Sequence, residues 1–317
     1  MRIATCPGCG APERRRWLRH PELMLWLCER CGLGYSDPQP RDAVAQRYLV
    51  DYDLAAHFGA HGHRKGVLDA RRLDGLPAPH PGQALLDVGC GDGQFAAAAA
   101  ARGWDVRAVE LNPPAVQRAR ERGVAVVEGR LEDGRLEPGA FDVVTAWDVI
   151  EHVAEPRSFI AQLARVVAPG GLVVVTTLNR AALVARMFRG RWSMVAIDHF
   201  TYWHARSLRT AFADSGLRAV RTTSFGLGRD FVFWVDRLRR RPAWLAGADE
   251  ARGLPASGPR PGGWDTQPRV LSAERALNRV LGATSLGVGI EAVFRAPAAR
   301  PPERAAGGSP GAEPQAR

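Results

Sequence analysis

The chain has 317 residues, 46% of them hydrophobic and 24% charged, with a formal net charge of +10. This globular composition suits one large α/β domain plus a small module. No apolar run approaches the length that a membrane-spanning helix needs. A basic balance invites nucleic acid or an anionic membrane as partner. Lys65 is the only lysine, however, and Arg, Ala, Gly and Pro are abundant throughout, so GC-rich codon usage accounts for the charge equally well.

Four of the five cysteines open the chain as Cys6-x-x-Cys9 and Cys28-x-x-Cys31, each pair followed by Gly10 or Gly32. Two such knuckles at this separation can wrap four thiolates around one tetrahedral Zn²⁺, a closed and therefore structural site. Trp17, Leu18, Leu23, Leu25 and Leu27 between them predict the short strands of a ribbon, with Arg14, Arg15 and Arg16 as a solvated charge run. The N-terminus, Met1-Arg2-Ile3, lacks the apolar core of a signal peptide, which makes a cytoplasmic location the expectation. Tyr48 and Tyr52, one helical turn apart, can form a lid over a ligand or pack on the domain. His57, His61 and His63 lie among glycines and predict a loop without a metal.

From Gln83 the pattern alternates strand and helix. Leu85, Leu86 and Val88 enter a turn holding Gly89, Gly91 and Gly93, and a helix-forming run follows from Gln94 to Arg102. Strand, glycine turn and helix open a nucleotide-binding βαβ unit, in which the glycines let backbone approach a ligand. The alternate glycines and Asp87 ahead of them suit a ligand with a positive amino group better than a pyrophosphate. Glu110 closes the next strand-like run, where an acid can accept both hydroxyls of a ribose. Asn112, Pro113 and Gly123 bracket a helix, Val124–Val127 a third strand and Phe141–Ala146 a fourth. Phe159, Leu163 and Val167 mark another helix, and Pro169-Gly170-Gly171 turns the chain into a fifth strand, Leu172–Thr177. A helix from Ser207 to Ser215, a strand from Leu217 to Phe225 and a last strand over residues 289–295 complete the pattern.

These segments resemble the class I S-adenosylmethionine-dependent methyltransferases over about residues 83–225, and the run F-D-V-V-x-x-W-D-V-I-E-H-V before P-G-G is similar to their ubiquinone-biosynthesis O-methyltransferase branch. The resemblance implies a Rossmann-like, seven-stranded, doubly wound α/β sheet with a small N-terminal zinc ribbon. With the cysteine spacing it divides the chain into a zinc ribbon over 1–40, a helical lid or linker over 41–82 and a cofactor core over 83–226. A substrate cap, linker and last strand would occupy 227–296, and a disordered tail 297–317. It assigns S-adenosylmethionine to Asp87, Gly89, Cys90, Gly91, Gly93, Glu110, Leu111, Leu131 and Trp147. Arg130 stands where many members carry an adenine-binding Asp, which leaves that contact to the Leu131 backbone.

Asp148-x-x-Glu151-His152 follows the fourth strand at the sheet edge where such folds bind ligands. If Asp148–Val153 is helical, these three share one face and can hold a divalent ion, or His152 can act as a general base oriented by an acid. The resemblance points to Mg²⁺, with His199 as a distant fourth ligand and His204 as second choice. The expected reaction is in-line methyl transfer, with O-methylation of a small molecule or glycan precursor favoured. The alternatives are an RNA (rRNA or tRNA) methyltransferase gripping RNA with its ribbon, a sugar C-methyltransferase, and a non-catalytic nucleoside-binding scaffold. The arginine-rich stretch 231–245 is read as a cap over the substrate or a membrane-surface contact.

Overall fold

The computed structural model describes residues 3–37, 39, 48–49, 62–226 and 286–298. Tyr52, His57, His61, the stretch 231–245, the linker and the tail beyond 298 lie outside the described residues. Strands β1 (Arg14–Arg19), β2 (Met24–Cys28) and β3 (Gly34–Ser36) form an N-terminal antiparallel meander. Helix α1 (Gly62–Asp74) leads into β4 (Ala84–Val88), α2 (Gln94–Ala101), β5 (Asp105–Glu110), α3 (Pro113–Glu121) and β6 (Ala125–Glu128). There follow β7 (Phe141–Trp147), α4 (Pro156–Val166), β8 (Val167–Leu178), α5 (Leu183–Phe188), β9 (Thr201–Tyr202), α6 (Ala205–Ala213), β10 (Arg218–Phe225) and β11 (Gly289–Arg295).

The large sheet has seven strands in the order β10-β11-β8-β7-β4-β5-β6. Its central strands run parallel, and β11 inserts antiparallel between β8 and β10. Leu85, Leu86 and Val144 are buried because helices cover both faces of a parallel sheet, which explains the continuous apolar runs. The alanine-rich α2 buries Phe95, Ala96 and Ala99, and its small side chains let it lie close to the sheet. Helix α4 buries Phe159, Ile160, Leu163 and Val166, three and four apart on one face. Asn112 caps α3 as expected, its side chain accepting from the Ala115 N–H at 3.1 Å.

Two local expectations change. Val167 begins β8 and does not continue α4, and Pro169-Gly170-Gly171 lies inside that strand. The register steps from Phe141↔Val167 to Val143↔Leu172, so a bulge absorbs the three residues. Asp148–Val153 is not a regular α-helix. Asp148 has φ +58 and only Ile150–His152 closes a 3₁₀ turn.

The N-terminal meander takes its fourth strand from far along the chain. β9 pairs with β3, Gly34 opposite Tyr202 and Tyr35 opposite Thr201. The four cysteines, Leu33 and Tyr35 share one hydrophobic cluster with Trp203, Leu208 and the sheet residues Leu86, Val144 and Val175. The ribbon and the large domain therefore have a common core. Arg180 strengthens the join, donating to the Gly32 carbonyl and lying 3.3 Å from His204 Nε2.

His204 caps α6, its backbone N–H donating to Ser207 Oγ at 3.0 Å. Burial, reinforced by Arg180, Arg206 and Arg209, pushes its pKa down to about 3. A histidine depressed in the fold takes up a proton more readily when unfolded, so it destabilises the fold as pH drops from about 6.5 towards 3. In urea denaturation between about pH 7 and 5, His204→Asn, which keeps a capping side chain, should lose less stability than the parent. Equal losses would show that His204 does not set the acid sensitivity.

Candidate functional site

The glycine turn joins β4 to α2 at the carboxyl edge of the sheet. Gly89, Gly91 and Gly93 have φ of +72, +57 and +76, the left-handed region that favours glycine. At Gly89 close approach adds to backbone demand, because a Cβ there would meet Val149 Cγ2 at 2.6 Å. The Gly89 and Cys90 N–H groups both donate to the Val109 carbonyl, at 2.8 and 3.3 Å, fixing the turn to β5. Asp87 is buried ahead of the turn and accepts from Thr145 Oγ1 at 2.8 Å.

Glu110 ends β5 under this turn. Its Oε2 accepts from the Gly91 N–H at 2.8 Å. Its Oε1 accepts from the Leu111 and Asn112 N–H groups at 2.7 and 2.8 Å and from the Tyr48 hydroxyl at 2.9 Å. A carboxylate oxygen offers two lone pairs, so Oε2 keeps capacity for a ligand hydroxyl. Of the two expected lid tyrosines, Tyr48 thus reaches the acid predicted to hold a ribose.

At the end of β7, Trp147 packs edge-on against Phe95 at 5.1 Å beneath the Arg72 guanidinium, 4.6 Å from its ring. Its buried Nε1–H has no acceptor among the described residues, an open donor beside the turn. Leu131 is buried in the 3₁₀ turn after β6. Arg130 stands at the cap of that turn, where its backbone N–H donates to Asp133 at 3.0 Å. A buried acid above a left-handed glycine turn, an acceptor on the next strand and an open indole donor fit an aminoacyl nucleoside.

The D-x-x-E-H motif divides. Asp148 is exposed, accepting from Arg72 at 2.9 Å and from Thr176 Oγ1 at 2.8 Å. Glu151 is buried and accepts from Thr177 Oγ1 at 2.9 Å. Burial raises its pKa to about 7, the Asp148 charge adds to the rise, and His199 opposes it. His152 Nδ1 lies 2.8 Å from the Asp198 carbonyl and His199 Nδ1 lies 2.7 Å from the Met194 carbonyl. A carbonyl only accepts, so each ring carries its proton on Nδ1 and presents a bare Nε2 when neutral. Burial, with the nearby His152, lowers the His199 pKa and favours that neutral form.

The two rings are 4.8 Å apart, and with Asp198 they form a three-residue group whose potential ligand atoms lie within 4.8 Å of one another. The expected quartet of Asp148, Glu151, His152 and His199 thus contributes only its two histidines to this group. His204, the second choice, is spent on capping α6. Asp198 is the third member of the group, legible in the sequence only as the neighbour of His199.

The four N-terminal cysteines are the other convergent group among the described residues. Their sulfurs are buried, with Cys6 and Cys31 3.7 Å apart and Cys9 and Cys28 3.6 Å apart. Those separations match the edge of a tetrahedron with metal–sulfur bonds of about 2.3 Å, and they exceed a disulfide bond. The hydrogen bond shared with Cys6 pulls the Cys31 thiol down to about 5 and pushes Cys6 up. The donor set fits a structural Zn²⁺.

Residues 60–222 match a family described as methyltransferase domain, about half of the chain. The chain belongs to this family. It is 42% identical over 127 residues to a ubiquinone biosynthesis O-methyltransferase of Thiobacillus denitrificans, a match covering 38% of this chain and 54% of that one. To the enzyme of the same name from Xanthomonas campestris it is 39% identical over 160 residues, 45% and 67% of the two chains. The chain spans about half the length of the first of these relatives. A Thermotoga maritima S-adenosylmethionine-dependent methyltransferase superposes with a TM-score of 0.51 at 16% identity, over 80% of this chain and 99% of that one. That likeness establishes the class I methyltransferase fold. No described helix is long and apolar enough to cross a membrane.

Gly89→Val should cost ~2–3 kcal/mol, because a β-branched side chain meets both positive φ and Val149. Gly134→Ala, also at positive φ but with open space around it, should cost only the smaller backbone term. Equal losses in urea denaturation would rule out the Gly89–Val149 contact as the constraint.

Proposed function

We propose that the chain transfers the methyl group of S-adenosylmethionine to an oxygen of a small-molecule acceptor. The observation that carries the reading is one sheet edge bearing both Glu110, tied to the glycine turn through the Gly91 N–H, and two imidazoles with open Nε2 atoms. The relatives near 40% identity named as ubiquinone biosynthesis O-methyltransferases support oxygen as the nucleophile.

In this reading the Gly89, Cys90, Gly91 and Gly93 backbone approaches the aminoacyl part of the cofactor, and Asp87 provides the negative charge for its amino group. Glu110 takes the ribose hydroxyls, Leu111 flanks them, Leu131 takes the adenine side and Trp147 closes the edge. When bound, S-adenosylmethionine supplies a methyl already activated on a sulfonium. The protein's task is alignment and proton removal. With the cofactor bound, His152 Nε2 would take the proton of the acceptor hydroxyl as its oxygen displaces the sulfonium, the methyl–sulfur bond breaking and S-adenosylhomocysteine leaving with that electron pair, while the Asp198 carbonyl holds the imidazole in the required tautomer. Glu151 acts through position. Its carbonyl accepts from the Phe200 N–H at 2.8 Å, tying the His152 turn to the segment that carries His199.

A second reading has His152, Asp198 and His199 hold a divalent ion that binds the acceptor oxygen, favoured by their convergence within 4.8 Å. Two imidazoles and one carboxylate suit a transition ion better than Mg²⁺. In either case the four cysteines hold a structural Zn²⁺.

With methyl-labelled cofactor and a catechol or sugar-diol acceptor, His152→Gln should lower turnover about 10²-fold or more and leave S-adenosylhomocysteine affinity within about twofold. Unchanged turnover would remove His152 from the chemistry. Loss of parent activity in EDTA, restored by Mn²⁺ or Zn²⁺ at His152, would replace the general base with the ion. Cys28→Ser should abolish stoichiometric zinc by elemental analysis and lower the melting temperature. Retention of one zinc per chain would refute the four-cysteine site.

A further inference from the structure

A groove remote from the glycine turn brings two backbone irregularities together. Strand β1 is bulged between Arg16, paired with Trp26, and Arg19, paired with Met24. Residues three apart on a regular strand point to opposite faces. The extra residue breaks that alternation, and both arginines line the groove that β1 forms with the end of α5. Across the groove Arg189, at the end of α5, adopts φ +53, a conformation that L side chains rarely take. Gly190 then presses against the Arg19 carbonyl with no room for a Cβ, which draws Arg189 and Arg191 up to the bulged strand. Backbone irregularities of this kind recur where a side chain must be aimed.

The resulting cavity of about 720 Å³ has the size of a small-ligand site. Arg16, Arg19, Arg189 and Arg191 line it together with Trp17 and Phe188, and no acidic residue among those described does. All four arginines are exposed, and none has an ion pair with a described residue, whereas Arg14, Arg72, Arg102, Arg122 and Arg221 are all paired. Four clustered cations repel one another until an anion neutralises them.

We infer that this groove binds a small molecule carrying a diphosphate. The guanidinium forks grip the phosphate oxygens in bidentate pairs, and Trp17 and Phe188 pack on the base or hydrocarbon attached to them. Trp17 meets the Tyr202 ring at 5.2 Å, and Tyr202 meets His199 at 6.4 Å, so one aromatic ring separates the ligand's apolar part from the imidazole pair. The binding itself is independent of the reaction assigned to those imidazoles.

The test is titration calorimetry on the full chain at physiological salt with pyrophosphate, uridine diphosphate and farnesyl diphosphate, comparing the parent with Arg19→Gln/Arg191→Gln. The parent should bind at least one organic diphosphate more tightly than pyrophosphate, and the tighter one identifies a nucleotide or a prenyl source. Removing two charge-assisted contacts should weaken that binding about tenfold or more. If near-UV circular dichroism shows the double variant to be unfolded, Arg16→Gln/Arg189→Gln decides by the same criterion. No binding of any diphosphate, equal affinity in a folded variant, or capture only by an RNA oligomer or anionic vesicles would each overturn the inference. S-Adenosylhomocysteine, titrated in parallel, tests the methyltransferase reading separately.

Discussion

The short segment from Phe200 to Tyr202 is bonded on both sides, and the candidate site depends on it. On one side the Phe200 N–H donates to the Glu151 carbonyl and Thr201 Oγ1 donates to the Ile150 carbonyl at 3.2 Å. On the other, the Phe200 carbonyl accepts from the Ser36 N–H at 3.0 Å, and β9 pairs with β3. His152 and His199 lie next to these anchors, so their separation is set by backbone ladders more than by their own side chains. A ribbon held to the large domain in this way shares the backbone ladder next to the two histidines. Its four cysteines brace the same hydrophobic cluster as the central sheet.

The two carboxylates of D-x-x-E-H show how environment separates residues that a motif presents together. Asp148 faces solvent and pairs with Arg72. Glu151 is buried and its side chain accepts from one hydroxyl, so its proton is held up to about neutral pH. The pair of histidines is arranged oppositely, with carbonyls fixing both tautomers and burial lowering the His199 pKa. Imidazole nitrogens beside a carboxyl whose pKa burial has raised suit proton removal from a hydroxyl.

The arginine excess is also sorted by structure. Arg14, Arg72, Arg122 and Arg180 serve internal ion pairs or carbonyls. The four around the β1 bulge have no such ion pair among the described residues and share one groove. Net charge alone could not separate these populations, because a composition carries no geometry.

What the sequence by itself determined is whatever depends on neighbours along the chain. The glycine turn, Asp87, Glu110, the Asn112 cap, the strand–helix alternation and the paired C-x-x-C knuckles each follow from local backbone demands and fixed spacing. The seven-stranded sheet follows from their order. Tertiary structure decided the rest. The pairing of β3 with β9, separated along the chain by the central strands β4 to β8, joined ribbon to domain. Asp198 came to lie beside the two histidines, while Asp148, at positive φ, stands before the single 3₁₀ turn of Ile150–His152 and pairs with Arg72. The bulge at Arg16–Arg19 and the left-handed Arg189 met only in three dimensions. A register between distant segments is chosen by the burial of the whole core, and no window of sequence contains that information.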